Sequence, residues 1–323
     1  MRKDKDELKK QLCKKYNVNN IYSFSSISTF EQDPYEYYLK YVANIEPDKN
    51  TESIYGILGT LVHDLTEKFY TNKLSRKECK EAFSNKFKEI LLNANVISFS
   101  SSEESNASLA DKYQSNILKY FNMLEKEDGS ISCEEPVYCY LSNSTCKAVL
   151  FGYIDCLIHK KDKTYTILDF KTSAPYTNKD LFKQARQLFI YAEGIKQKYN
   201  CNYSDIKLGW NFVKYVKAIS KIDMSEEIIE RRYINEFDPA VYIFKDYIKY
   251  IDLTPDMIDD LSESILTTIY NIENKTDLFN KSKDDNIFSY KVAQQNLFRL
   301  QNFCNYSEKL HKPLREFLEG KVK

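Results

Sequence analysis

The chain has little of what breaks regular structure. Its 323 residues include 7 Gly and 7 Pro, which leaves small room for flexible linkers and favours long uninterrupted elements. No apolar run approaches the roughly 20 residues that span a bilayer. The first residues, MRKDKDELKKQLCKK, carry no apolar stretch behind their charges of the kind a secretory signal needs. No membrane partner and a cytoplasmic location are therefore expected. Excess charge is also missing: 47 basic and 47 acidic residues give a net charge of zero. Such a balance does not announce nucleic acid, although a neutral protein can carry a local basic groove. The 8 cysteines contain no C-x-x-C pair and are expected to be thiols rather than disulfides. Cys139 and Cys156 alternate with apolar residues and read as small buried hydrophobes. A phosphate-binding G-x-x-x-x-G-K-[ST] loop is lacking, so any unwinding of a duplex would have to come from another protein.

What is present is periodic. Residues 1–22 read as a basic helical lead-in. Asp33 followed by Pro34 is a helix start, with Tyr35, Tyr37, Tyr38 and Tyr41 available to pack that helix. GILGTLVHDLTEKFY places Leu58, Leu61, Val62, Leu65 and Phe69 on one helical stripe. Helices are expected over 76–92 and 106–126, with the Ser-rich SFSSSEESNAS between them as a surface loop. VYCYL, AVLFGYIDCLI and YTILDFKTS then read as strands. A helix at about 179–199, the strand IKLGWNFVKYV, and a mostly helical remainder over about 225–320 follow. This order implies an α/β fold with a central mixed β-sheet flanked by helices. Three regions are expected: an N-terminal helical arm over 1–58, a core over 59–220 with a helical insertion at about 76–126, and a helical C-terminal region over 221–323.

The chemistry-bearing residues fall in the strands. A tight turn centred on Asp162 would place Asp155 directly opposite Asp169, on one face, with Cβ atoms roughly 4.5–5.5 Å apart. Two carboxylates in apolar strands repel each other and lose hydration. Either both face water on an exposed sheet surface, or a divalent cation relieves them. Lys171 shares the face of Asp169, because side chains alternate along a strand. The Phe170 carbonyl between them adds a further oxygen donor. Such a group suits Mg²⁺ or Mn²⁺ and the activation of water for phosphodiester hydrolysis, with Lys171 orienting the water or countering phosphate charge.

His63 lies just outside the apolar stripe of its helix. A lone helical His is more often structural than a ligand, yet imidazole at this site would favour Mn²⁺. Gly59, one turn earlier, allows a close approach. In the helix at 179–199, Leu181, Ala185, Leu188, Ala192 and Ile195 form the core stripe, while Gln184, Gln187 and Tyr191 share a neighbouring face. These three can hold a phosphate, a water or a base, or simply form a polar helix face.

Taken together, these segments resemble the PD-(D/E)XK nuclease superfamily, in its branch of RecB, AddB and CRISPR-associated RecB-like exonucleases. Ser23-Phe24-Ser25 through Asp33-Pro34 to Tyr41 resembles the N-terminal S-x-S…C-P…Y signature. Gly59-x-x-x-His63, Gly152-x-x-Asp155, Asp169-Phe170-Lys171 and Gln187-x-x-x-Tyr191 resemble, in order, the G-x-x-x-H, G-x-x-D, (D/E)-x-K and Q-x-x-x-Y motifs. The resemblance covers about residues 20–215 and implies a restriction-endonuclease-like core. It implies metal binding by His63, Asp155, Asp169 and the Phe170 carbonyl, a catalytic Lys171, and support from Gln187 and Tyr191. Glu135 stands where relatives often carry an acid, with a salt bridge as the plainer role. Many relatives hold a [4Fe–4S] cluster on four cysteines. Here Asp33 replaces the first, and Cys304 is the lone thiol near the C-terminus, so no iron–sulfur cluster is expected. Aromatic contacts of Tyr35, Tyr38 and Phe303 would then close the arm onto the C-terminal helices.

The implied function is a metal-dependent DNA nuclease, in the main an exonuclease. It would act on single strands or DNA ends in recombination, repair or phage replication, with a helicase or recombination protein as partner. The competing reading is a non-catalytic module that holds DNA or a helicase without cutting. A third is a structural helical protein in which the motif string is accidental.

Overall fold

The structure is a computed structural model that describes residues 2–48, 52–93, 96–100, 102–289, 304, 306, 309 and 320. The chain starts with α1 (Arg2–Tyr16), a short strand β1 (Ile21–Tyr22), α2 (Phe24–Gln32) and α3 (Pro34–Tyr37), which widens into a π-helical turn over Tyr38–Val42. Next come β2 (Glu52–Ser53), α4 (Ile54–Tyr70), α5 (Arg76–Leu91), β3 (Val96–Ile97) and α6 (Glu103–Met123). The strands β4 (Ser130–Ser142), β5 (Lys147–His159) and β6 (Tyr165–Lys171) lead to α7 (Asn178–Tyr199). Then β7 (Ile206–Ser220), β8 (Glu226–Glu230), β9 (Tyr242–Ile251) and α8 (Pro255–Ser282) complete the order.

Local chemistry sets the hairpins. Asn143 Oδ1 accepts from the amides of Thr145 (3.0 Å) and Cys146 (2.7 Å), which turns β4 into β5. Asp162 Oδ1 takes the Thr164 hydroxyl (2.6 Å) and amide (3.1 Å), and Lys163 adopts φ 65°. That turn fixes the register as the sequence suggested: Cys156 faces Leu168 and His159 faces Tyr165.

A seven-stranded mixed sheet results, in agreement with the α/β expectation. β5 pairs antiparallel with β4 along its whole length on one edge. Its other edge is shared: β1 runs parallel at Val149 and Leu150, and β6 runs antiparallel from Cys156 to His159. Between them, Phe151–Asp155 has no strand partner on that edge among the described residues. β7 is shared in the same way, with β6 ending opposite Phe212 and β8 starting at Tyr215. Helices cover both faces. α7, α8 and the α2–α3 arm pack over Ile154, Ile167, Trp210 and Phe212. α4, α5 and α6 pack over Cys156, Ile158, Leu168 and Phe170. The expected stripes of α4 and α7 are the ones that turn inward, and Cys139 and Cys156 are fully buried.

Two expectations need correction. The region from about 225 onward is not helical throughout, because β8 and β9 lie there and both join β7. Both are edge strands: β8, EEIIE, is rich in charge and shows no apolar alternation, while β9, YIFKDYIKYI, is mostly aromatic and β-branched and carries a strand signal that the helical expectation passed over. The Ser-rich segment is only partly loop. Ser102 caps α6, accepting from the Ser105 amide at 3.4 Å, and the helix takes up Glu103 onward.

The arm is closed by more than aromatic contacts. Tyr38 packs on Phe279 and Phe288 at 4.9 and 5.2 Å between ring centroids. Tyr35 donates to Asp285 Oδ2 at 2.9 Å. Phe303 lies outside the described residues. The strongest tie is ionic: Glu31 of α2 grips the buried Arg186 of α7 through both guanidinium nitrogens, at 2.5 and 2.6 Å. It also accepts from Thr268 of α8 at 2.8 Å. Burial alone would push the Glu31 carboxyl up, but Arg186, Thr268 and Lys183 hold it below its ordinary value. A depressed carboxylate stabilises the fold above the unfolded glutamate range, and that contribution disappears as pH falls through the lower native value. Glu31→Gln leaves Arg186 buried and unmatched, so urea unfolding at pH 7 should show a loss of roughly 3–5 kcal/mol. The gap to wild type should shrink in acid as the wild-type carboxylate protonates.

Candidate active site

The site forms at the open edge of β5. Beyond Cys156 and Leu168 the β5–β6 ladder stops, one step short of Asp155 and Asp169. Instead of a backbone pair, the Asp155 carboxylate reaches across and accepts the Phe170 amide at 2.8 Å. The side chain thus replaces a rung of the ladder, pinning the two strands where they part. α4 delivers His63 from one layer, with Nδ1 at 3.5 Å from Asp155 Oδ2. Ser53 caps this helix at the Tyr55 amide, and its buried stripe fixes the rotation that leaves His63 on the flank. The missing Cβ of Gly59 lets α4 approach β6, since a methyl there would sit 3.3 Å from Thr172 Oγ1.

β6 supplies Asp169, 1 % exposed, and Lys171. Their charges meet at 2.5 Å, between Asp169 Oδ2 and Lys171 Nζ, although the contact lacks the direction of a hydrogen bond. Lys171 Nζ donates to Gln187 Oε1 at 3.1 Å, and Gln187 Nε2 donates to the Tyr191 hydroxyl at 3.0 Å. The other layer therefore positions the lysine from α7. Gly152 makes room for Tyr191, whose ring edge would lie 2.9 Å from a Cβ at that position. His63, Asp155, Asp169, Lys171, Gln187 and Tyr191 thus converge on one end of the sheet.

Burial dominates the electrostatics. It pushes the Asp169 carboxyl up to about 6, assisted by the negative Asp155 and opposed by Lys171 and His63. Burial works against the Lys171 ammonium too, yet Asp169 more than compensates and raises it further. The His63 imidazole loses hydration, but its hydrogen bond to Asp155 and that carboxylate's charge lift it above its usual value.

Two neighbours escaped the sequence reading. Glu135 takes the plainer role, bonding Lys198 at 2.6 Å on the far side. The acid that faces the site is Glu134, which stands opposite Asp155 between the pairs Cys133–Cys156 and Glu135–Ile154. It adopts φ 52°, and its carboxyl is raised by partial desolvation and by Asp155 and Glu67. Tyr176, in the loop after β6, lies close enough to Lys171 to raise its pKa. Strand alternation cannot foresee a left-handed residue, and a loop tyrosine carries no periodic signal.

A family profile decides what this arrangement belongs to. That of the PD-(D/E)XK nuclease superfamily matches residues 21–286. The chain belongs to this superfamily. Its members are generally metal-dependent nucleases, with divalent ions such as Mg²⁺ or Mn²⁺ and DNA as the implied substrate. A search of curated proteins finds no match. Among solved structures, the chain is similar at 14 % identity to one described as the crystal structure of SSO0001, over 77 % of this chain and 93 % of that one. The TM-score of 0.25 makes this a faint likeness that bears no argument. No helix among the described residues is long and apolar enough to cross a membrane.

Because Asp169 carries a raised pKa, the native state holds a proton there that the unfolded chain has already lost between the ordinary aspartate range and about pH 6. Stability therefore falls as pH rises through that window. In urea unfolding with EDTA, Asp169→Asn should remove this slope. Its stability relative to wild type should climb from pH 4 to pH 6 and level off above, whatever its constant offset from the altered contact with Lys171.

Proposed function

We propose that the protein is a divalent-metal-dependent deoxyribonuclease of the RecB-like branch, working as an exonuclease on DNA ends or single strands. The observation that carries this reading is the meeting of Lys171, Asp169, Asp155 and His63 at the gap in the β5 edge. Among the described residues, no three His, Cys, Asp or Glu side chains already stand in ion-holding geometry, since Asp169 is engaged by Lys171. The donor set still fits a hard cation. Two carboxylates, one of them buried and reluctant to ionise, stand beside an imidazole and the Phe170 carbonyl, and a dication would satisfy what one ammonium does only in part.

His63, Asp155, Asp169 and the Phe170 carbonyl would hold Mg²⁺ or Mn²⁺. Bound there, the ion would supply Lewis-acid activation of water and charge neutralisation at the phosphate. The chain's own residues do the rest. Lys171, held by Gln187, presents its ammonium where an attacking water or a phosphoryl oxygen is placed. The Gln187–Tyr191 bond keeps the lysine from swinging away, which is a positioning role. Asp33, in place of a cluster thiolate, is spent on capping α3 through the amides of Tyr35 and Glu36, both at 3.0 Å. The purified protein is accordingly expected to lack the absorbance near about 400 nm of an iron–sulfur protein.

The test is hydrolysis of linear and circular single-stranded DNA and of duplex DNA with Mn²⁺. Asp169→Ala and Lys171→Ala should each cost about a hundredfold or more in rate. Gln187→Ala should cost less and fall on the rate rather than on substrate affinity. An enzyme that leaves circular DNA intact while degrading linear DNA is an exonuclease. A wild type as inert as its variants on varied DNA and RNA would instead favour a module that binds DNA or a helicase without cutting. Mn²⁺ should also raise the thermal midpoint of wild type, and Asp155→Asn with Asp169→Asn should abolish that rise.

A further inference from the structure

A second opening lies at the same end of the sheet, on the other side of β6. β6 stops at Lys171, opposite Phe212, and β7 runs on alone through Val213 and Lys214 before β8 joins at Tyr215. A cavity of about 220 Å³ fills this gap, walled by Tyr55 at the start of α4, Phe99, Lys112 and Tyr113 of α6, Lys214 and Tyr215. Ala174, three residues beyond Lys171, forms part of its rim. We propose that this cavity is a nucleotide subsite that takes one unpaired base of a DNA strand against its aromatic walls and that nucleotide's phosphate against Lys214.

The rings are arranged for it. Tyr55 meets Phe99 edge-on at 5.1 Å, and Phe99 lies 5.8 Å from Tyr113. Such a wall stacks any base, because every base presents a π-face. The cationic part is unspent. Glu230, the acid of the cavity, already accepts from Lys112 (3.0 Å), Asn116 (3.1 Å) and Arg232 (2.9 Å). Lys214 has no ion pair among the described residues and rests over the Tyr113 ring at 5.5 Å from its centre. Burial pulls its pKa below the ordinary lysine value, with Glu230 opposing and Lys112 assisting, so an incoming phosphate would relieve a charge the fold leaves poorly matched. The Tyr113 hydroxyl is buried, near Thr172, without completing a hydrogen bond, and is one more group that a ligand could satisfy. The plainer role, a half-buried lysine lying on an aromatic core, accounts for the packing of Lys214 but not for an aromatic cavity at the end of the catalytic strand. The opening holds one base and not a base pair, so the strand it accepts is single or frayed.

This inference rests on the nuclease reading for its substrate, and its test is kept apart from cleavage. Fluorescein-labelled oligo-dT and a blunt DNA hairpin are titrated in EDTA with wild type, Lys214→Gln and Tyr55→Leu, each first shown to unfold at the wild-type urea midpoint. Wild type should bind oligo-dT, and each variant should weaken that binding about tenfold, the scale of one lost stacked base or phosphate contact, with hairpin binding little changed. If Tyr55→Leu does not fold, Lys214→Gln decides alone. Oligo-dT binding that is absent in wild type, equal in the variants, or weakened in the same proportion as hairpin binding would overturn the subsite. Wild type is assayed in parallel for cleavage with Mn²⁺. Variant-sensitive binding without cleavage would sink the nuclease reading and leave the subsite, and cleavage with variant-insensitive binding would do the reverse.

Discussion

The whole site depends on one hydrogen bond, from the Phe170 amide to the Asp155 carboxylate. It sits where β5 and β6 cease to pair, and it substitutes a side chain for the next rung of the ladder. That substitution lets the strands part without orphaning a buried amide, which would cost about 1–3 kcal/mol. The parting exposes an edge of β5 between β1 and β6, and at this gap His63, Asp155, Asp169 and Lys171 come together. One carboxylate thus both holds the fork together and lies within it.

The charges in the fork are mutually dependent. Asp169 is buried so deeply that it would give up its proton reluctantly, and Lys171 is buried so deeply that it would give one up readily. Each ion is maintained by the other, and Asp155 supports the ammonium while opposing the ionisation of Asp169. Such a set is poised rather than relaxed. A further cation would be welcomed by Asp169, Asp155 and Glu134. Placing the lysine between Asp169 and the Gln187–Tyr191 pair confines its ammonium to a narrow range of positions.

Away from the site, the fold is closed by a second buried charge pair. Glu31 and Arg186 bind the arm to α7, and Thr268 brings in α8. Carboxylate, guanidinium and aromatic contacts join the arm to α7 and α8, and Asp33 caps α3. Ion pairs of this kind add specificity to an apolar interface, because a carboxylate and a guanidinium match in one orientation only.

The local pattern alone decided much of this. A stripe of period 3.6 put His63 on the flank of α4 and Gln187 and Tyr191 together on α7. The Asp162 turn fixed the register that brings Asp155 level with Asp169, because a two-residue period leaves no freedom once the turn is set. Those are short-range constraints, and they were legible. What the sequence could not decide was where pairing stops, since Asp155 reads as one more strand residue until its carboxylate is seen to hold the Phe170 amide. Nor could it reveal that the charged segment at β8 would be a strand, or that Glu134 rather than Glu135 would face the site. Each of these is settled by the assembled sheet: β7 offers an edge, β4 adopts a left-handed residue beside Asp155, and burial sets the pKa values. Local periodicity carries the first kind of information, and only the assembled layers create the second.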